Sequence, residues 1–298
     1  MWPSPDPVRT AAVNVADAVF PYDYRGVRPA LARLPADAYA RAALELLDRR
    51  PGVVVLITGF PVNGIAETDG PPGAAAVGRA LRALSWHVVT VVDPMTRPVI
   101  EALGQDLGEI EEVDADGVAQ AEVATGRLLD RIRPHAAIAI ERPGLTADGR
   151  LANMRGETLD PSPVPLDGLM RVPISIGVGD GGNELGMGSL ASFMRRRGIS
   201  PAPCVTRARH VLLASVSNWG AYGLTTLLEM LADRPLMPSE ADDRRWMRAI
   251  VSAGAVDGIT ARSEPTVDTF AYDRTAQVLH RLADACKTFA LAKGQVPT

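Results

Sequence analysis

The chain has 298 residues, 47% of them hydrophobic and 22% charged, so it can bury a sizeable core and is not expected to be disordered. A formal net charge of −4 leaves no basic stripe to neutralise a phosphate backbone, which excludes nucleic acid as the expected partner. Two cysteines, Cys204 and Cys286, cannot build a disulfide framework or a four-sulfur zinc site, and the only lysines, Lys287 and Lys293, lie too near the C-terminus for a P-loop or an ordinary Schiff-base site.

The chain opens Met1-Trp-Pro-Ser-Pro-Asp-Pro7, without the basic and then apolar segments of a leader, and no apolar run approaches the length of a membrane span. A cytoplasmic protein without a membrane partner is expected. Residues 1 to about 50 are expected as a helical lead-in. Five apolar runs bounded by glycine, proline and acids then read as buried strands: Val53 to Thr58, Val88 to Val92, Ala136 to Ile140, Pro173 to Gly177 and Val211 to Ser215. Helical spacing separates them, with Ala74, Val77, Leu81 and Leu84 on one face and Val118, Ala121, Ala124, Leu128 and Ile132 on another. The stretch from about Pro235 to Asp273 carries fewer signals. Val278, Leu282, Ala285 and Phe289 predict a closing helix over about 274–294. Alternating strand and helix implies right-handed crossovers and a three-layer α/β/α fold with a mostly parallel central sheet, read as one domain over 1–298. Ligands then bind beyond the carboxyl ends of the strands.

Two glycine-rich loops leave such strand ends. The first runs from Thr58 through Glu67, Thr68, Asp69 and Gly70 to Gly73, where the helix behind it offers unpaired N–H groups to a carboxylate or phosphate. The second is Gly177-Val-Gly-Asp180-Gly-Gly-Asn-Glu184-Leu-Gly-Met-Gly188. Gly177, Gly179 and Gly182 satisfy the dinucleotide triplet, but Asp180 and Glu184 put negative charge where a pyrophosphate would sit, and no acid between Glu184 and Ser217 could hold a ribose. A purely structural reading makes Asp180 a helix cap and Glu184 a first-turn acid. Glu141 and Asp93 also follow strands, Glu141 with a surface pairing to Arg142 as its plainer reading and Asp93 with a turn role. Acids from several strand ends could converge on a divalent metal, with an ammonium group as the competing ligand. Asn153, Arg155, Ser217 and Asn218 add amide, guanidinium and hydroxyl groups. Trp219 reads as core, and the four histidines stand singly.

At these residues the sequence resembles the D-glutamate cyclase family. The similar blocks are Glu67 to Ala74, Ala139 to Gly144, Gly177 to Gly188 and Ser217 to Gly220, with a weaker match at Asp257 to Thr260, Glu264 and Asp268 to Phe270. The resemblance implies a lyase that closes D-glutamate to 5-oxo-D-proline with loss of water. The resemblance is to the C-terminal part of the longer eukaryotic cyclases, whose further N-terminal domain is not expected in this sequence.

Under that resemblance, Asp180 or Glu184 is expected as base or metal ligand and Glu141 as a second acid. Glu67, Thr68, Asp69 and Gly70 contact the substrate, with Asn153, Arg155, Asn183, Ser217 and Asn218 around its carboxylates. A metal would be Mn²⁺ or Mg²⁺ on Asp69, Asp180 and Glu184. The partner is a small amino acid or carboxylate, and a homo-oligomer stays open. Two other readings stay open too: a metal-assisted lyase or hydrolase on another carboxylated or phosphorylated metabolite, and a non-catalytic amino-acid sensor.

Overall fold

Strands form where β-branched and small apolar residues can be buried on both sides, as a parallel sheet between helices requires. The computed structural model describes residues 6–294, so the first five residues of the lead-in lie outside the described residues. Helices α1 (Pro7–Val19), α2 (Arg28–Leu31) and α3 (Ala38–Leu47) precede β1 (Val53–Thr58). A small hairpin follows, β2 (Pro61–Val62) with β3 (Ile65–Ala66), then α4 (Pro71–Ala83), β4 (His87–Val92), α5 (Arg97–Glu101), β5 (Glu109–Glu112), α6 (Gly117–Ile132) and β6 (Ala136–Ile140). The second half holds β7 (Ile174–Gly179), α7 (Ala191–Arg196), β8 (His210–Leu213), α8 (Ser217–Ala232), α9 (Glu240–Ser252) and α10 (Tyr272–Ala292).

Six strands pair in parallel in the order β5-β4-β1-β6-β7-β8. The chain therefore builds outward from β1 in one direction, returns, and builds outward from β6 in the other. The order reverses between β1 and β6, where Thr58 pairs with Ile140, and open α/β sheets bind ligands at such a reversal. No helix among the described residues is long and apolar enough to cross a membrane.

Side-chain alternation divides the core. Val54, Leu56, Ile138, Ile140, Ile176 and Val178 face a layer built from α1, α3, α4, α8 and α10, while Val55, Ile57, Ala137 and Ala139 face α6. On β7 the second set is Ser175, Gly177 and Gly179, and the loop after the strand lies directly on this bare surface. A Cβ at Gly177 would meet Leu185 O at 2.9 Å, and one at Gly179 would meet Glu184 Oε2 at 2.7 Å. These glycines permit close approach of a loop.

Several local expectations change. Glu109–Glu112 is a strand despite three acids, because it lies at the sheet edge, where charge guards against further pairing. Val118 is exposed rather than core-facing. The region of weak signal contains α9, started by a capping box between Ser239 and Asp242. Arg142 makes no surface pair with Glu141: it is fully buried and bonded to Asp93 at 2.5 Å.

Candidate active site

The loop after β1 and the helix starts of α4 and α8 lock together at the sheet's reversal point. Asp69 Oδ1 accepts the N–H of Asn218 at 2.7 Å and Oδ2 that of Ser217 at 2.8 Å. In return Asn218 Oδ1 accepts the N–H groups of Gly70 and Gly73 at 2.9 and 2.8 Å. Each helix thus has orphan N–H groups capped by a side chain from the other's entry. The N-terminus of α4, expected to face an anion, is spent on this pairing. Gly70 has φ +99°, and a Cβ there would meet Thr58 Oγ1 at 2.6 Å and Glu141 Cβ at 2.8 Å, so only glycine fits the floor of the site.

Glu141 leaves β6 with φ +43°, a left-handed conformation that is strained for a side chain of its size. Ser217 Oγ donates to its Oε2 at 2.5 Å. Asp180 leaves β7 one strand away. Asp69, Glu141 and Asp180 are all buried, and each places one oxygen within 4.8 Å of the other two. Asp180 Oδ1 is buried without a hydrogen-bond partner, as are Asp268 Oδ1, Asn183 Oδ1 and Thr58 Oγ1.

So many buried acids cannot all ionise together. Burial first, then the charges of Asp268 and Asp69, push Glu67 well above the usual carboxylate range. Burial, then Glu184 and Asp69, do the same to Glu141. Asp180 is raised chiefly by burial, against the opposing pull of Arg25. Asp69 is pushed up to about 7 by burial and Asp268, although the N–H groups of Asn218 and Ser217 pull it down.

Glu184 stands differently. Its Oε1 accepts the N–H of Gly181 at 2.6 Å and that of Asp180 at 3.3 Å, and its Oε2 that of Gly182 at 2.6 Å. Its carboxylate folds the 180–184 loop into a nest of amides around itself. Asp180 and Glu184 do not start a helix, because α7 begins only at Ala191. Of the glycine triplet, Gly177 and Gly179 lie within β7 and only the Gly182 amide reaches Glu184, and β7 is the fifth strand of the sheet in chain order rather than the first, where dinucleotide folds carry the triplet.

A cleft of about 680 Å³ opens over the acids, lined by Glu67, Glu141, Asn153, Arg155 and Asn183 among the expected residues. Asn153 braces the wall by accepting the N–H groups of Arg155 and Glu157. Thr68 Oγ1 donates to Thr266 O at 2.7 Å, so Thr68 ties down the loop before α10. Ser217 and Asn218 are buried beneath the acids, where their hydrogen bonds go to Glu141, Asp69 and the loop backbone.

Three further residues complete the site. Tyr24 and Arg25, between α1 and α2, reach into the cleft. Arg25 Nε lies 3.1 Å from Asp180 Oδ2 and Nη2 2.7 Å from Asp268 Oδ2. Tyr24 Oη donates to Asp268 and lies 3.3 Å from Asp180 Oδ2. Asp268 and Thr269 have φ +51° and +70°, a second strained pair facing the same acids. Asp257 fixes this turn by accepting from Thr266 Oγ1 at 2.7 Å and from the N–H of Thr269 at 2.8 Å. Asp257 and Asp268 lie in the weaker block of similarity; nothing in the sequence around Tyr24-Arg25 marks that pair.

A family model described as D-glutamate cyclase-like, C-terminal, matches residues 19–283. The mitochondrial D-glutamate cyclase of human is 32% identical over 255 residues, which cover 72% of this chain and 40% of the human protein. The chain therefore spans less than half the length of that relative. Its matched region includes the β1 loop, the strained strand end at Glu141, the nest around Glu184 and the Arg25 and Asp268 contacts, and the chain belongs to the D-glutamate cyclase-like family, corresponding to its C-terminal part.

Proposed function

We propose that this chain closes D-glutamate to 5-oxo-D-proline, releasing water, at the acids beneath the cleft. The observation that carries the reading is the buried trio Asp69, Glu141 and Asp180, with Asp180 Oδ1 left without a partner at the sheet's reversal point. A buried, unpartnered carboxylate oxygen among other carboxylates calls for a cation. Hard divalent ions such as Mn²⁺ or Mg²⁺ take oxygen ligands of this kind, and Asp69, Glu141 and Asp180 would hold one. Bound there, the ion would supply Lewis-acid polarisation of a carboxyl group.

The reaction moves two protons from the ammonium nitrogen to one γ-carboxyl oxygen. The nitrogen forms a bond to the γ-carbon, and the C–O bond breaks as that oxygen leaves as water. Closure is intramolecular, so a site that folds the substrate with amine against carboxyl supplies a large proximity advantage. Proton transfer needs a base and an acid within reach. Glu67 lines the cleft as a buried carboxyl group whose pKa is raised, so it can carry the ammonium protons one at a time to the departing oxygen while Glu141 would stay with the ion. Asn183 and Arg155 line the same cleft and would take the substrate's other carboxylate.

A second reading rests on size. A cleft of about 680 Å³ falls among those that hold drug-sized ligands, which favours a bulkier carboxylated metabolite handled by the same metal-assisted chemistry. The test incubates the chain with D- and L-glutamate, with and without Mn²⁺, and follows 5-oxoproline. Product from D-glutamate supports the first reading, and absence of product from both under every condition rejects it.

A further inference from the structure

Arg25 belongs to neither of the glycine-rich loops, yet it is held over the acids as firmly as their own residues. Tyr22 stacks on Phe270 with ring centroids 5.1 Å apart, and Trp219 lies 5.4 Å from Phe270, so the segment carrying Arg25 is pinned to α8 and to the turn before α10. In Glu67, Asp69, Glu141 and Asp180 alike, Arg25 is the basic side chain whose charge offsets the repulsion. Its own contacts leave capacity. Nε donates to Tyr24 Oη at 2.8 Å, Nη2 to Asp268 Oδ2 at 2.7 Å, and Nη1 meets Met154 Sδ at 3.0 Å. A guanidinium has five N–H donors in a rigid plane, and a thioether is a weak acceptor. One N–H on each of Nη1 and Nη2 therefore has no acceptor among the described residues. The side chain is 18% exposed and lines the cleft beside Glu67 and Glu141.

Resting on the cyclase reading, we propose that the spare N–H groups of Arg25 bind the γ-carboxylate of the substrate and neutralise it for attack by the amine. The γ-carboxylate brings a further negative charge beside Glu67, Glu141 and Asp180, and Arg25 is the guanidinium fixed at that point, 3.1 Å from Asp180 Oδ2 and lining the cleft. The attacked carboxyl must lie about 3–3.5 Å from the amine in a reactive pose. With the amine on Glu67, the carboxylate next to it falls on Arg25, which lines the same cleft, while the α-carboxylate is left to Asn183 and Arg155. Tyr24 and Asp268 then act as positioning residues that hold the guanidinium plane.

The test compares D-glutamate with its γ-methyl ester, whose γ-group carries no charge, in the full chain with Mn²⁺ and with uncatalysed closure subtracted. Arg25→Gln is expected to lose on the order of a hundredfold in kcat/KM on the acid, with a loss on the ester about tenfold smaller or less. Arg25→Lys, which keeps the charge but not the planar fork, recovers part of the acid rate. Equal losses on acid and ester in a variant with wild-type Tm overturn the proposal. Should Arg25→Gln unfold, the Lys variant carries the comparison: its acid-to-ester ratio falls if Arg25 binds the γ-carboxylate, and an unchanged ratio overturns it. Failure of the cyclase reading looks different, since the wild-type chain would then close neither substrate, and the role of Arg25 falls with it.

Discussion

Asp69 accepts the backbone N–H of Asn218 at 2.7 Å, while the Asn218 side chain accepts those of Gly70 and Gly73 at 2.9 and 2.8 Å and donates to Thr68 O at 3.0 Å. One pair of side chains thereby joins the starts of α4 and α8 and fixes the β1 loop that carries Glu67 and Asp69. Asn218→Ala strands the Gly73 N–H and the Thr68 carbonyl, while Gly70 N–H keeps its bond to Asp69 Oδ1 at 2.9 Å; each stranded group costs about 1–3 kcal/mol. A stability loss of about 2 kcal/mol or more is expected in urea unfolding. Asn218→Asp keeps the acceptor but sets a second charge beside Asp69, so its loss should grow as pH rises. A loss under about 0.5 kcal/mol in Asn218→Ala would contradict the mutual capping.

Glu184 and Asp180 are four residues apart and have different tasks. Glu184 spends its carboxylate on three loop amides, whereas Asp180 keeps an oxygen free. Glu184→Gln should lower stability by about 1–3 kcal/mol, as weakening charge-assisted bonds does, while keeping Mn²⁺ binding measurable by calorimetry. Asp180→Asn removes a ligand charge and should weaken Mn²⁺ on the order of a hundredfold. Similar Mn²⁺ affinities in the two variants would show that Asp180 is no ligand.

Cation binding should depend on pH with a definite sign. Burial and the charge of Asp268 raise Asp69 to about 7, and burial raises Glu141 and Asp180 as well. Below that pH the ion must displace protons, so its affinity falls as pH falls. Calorimetry at pH 6 and pH 8 should give tighter Mn²⁺ binding at pH 8, by roughly tenfold per unit for each proton displaced. Equal affinity at both values would contradict the raised carboxyl groups.

Away from the site, Asp243 gives a stability signature. Tyr222 Oη donates to its Oδ1 at 2.5 Å, and burial nonetheless pushes it up to about 6. The unfolded chain releases this proton near pH 4, about 2 units earlier, so the group's contribution is full below that pH and is lost as pH rises through about 6. The fall amounts to about 2–3 kcal/mol. Asp243→Asn should flatten it, read as a smaller change in unfolding free energy between pH 4 and pH 7. An unchanged slope would assign the effect elsewhere.

The sheet was legible because its central strands are long apolar runs buried on both faces, and the last helix because Val278, Leu282, Ala285 and Phe289 keep helical spacing. β5 was not, since an edge strand needs only Ile110 toward the core and carries acids elsewhere. Among site residues, the acids at strand ends could be found because a parallel sheet delivers them to one edge. The role of Asn218 could not, because side-chain capping across 148 residues leaves no local pattern, and that of Glu184 could not, because an acid two to four residues after the amides it accepts reads equally as a helix-start residue. Arg25 is harder still: the contact of Tyr24 with Asp180 spans 156 residues, and an arginine before a glycine reads as an ordinary turn. The glycine triplet was ambiguous for a related reason, since close packing of a loop on β7 and approach to a pyrophosphate both demand the absence of a Cβ.

The account turns on chemistry at Asp180, and its most direct measurement is 5-oxoproline formation from D-glutamate with Mn²⁺ by the wild-type chain and by Asp180→Asn of wild-type fold. The expected result is turnover by the wild type and a loss on the order of a hundredfold or more in the variant. No product from the wild type, or equal turnover by both, would contradict it.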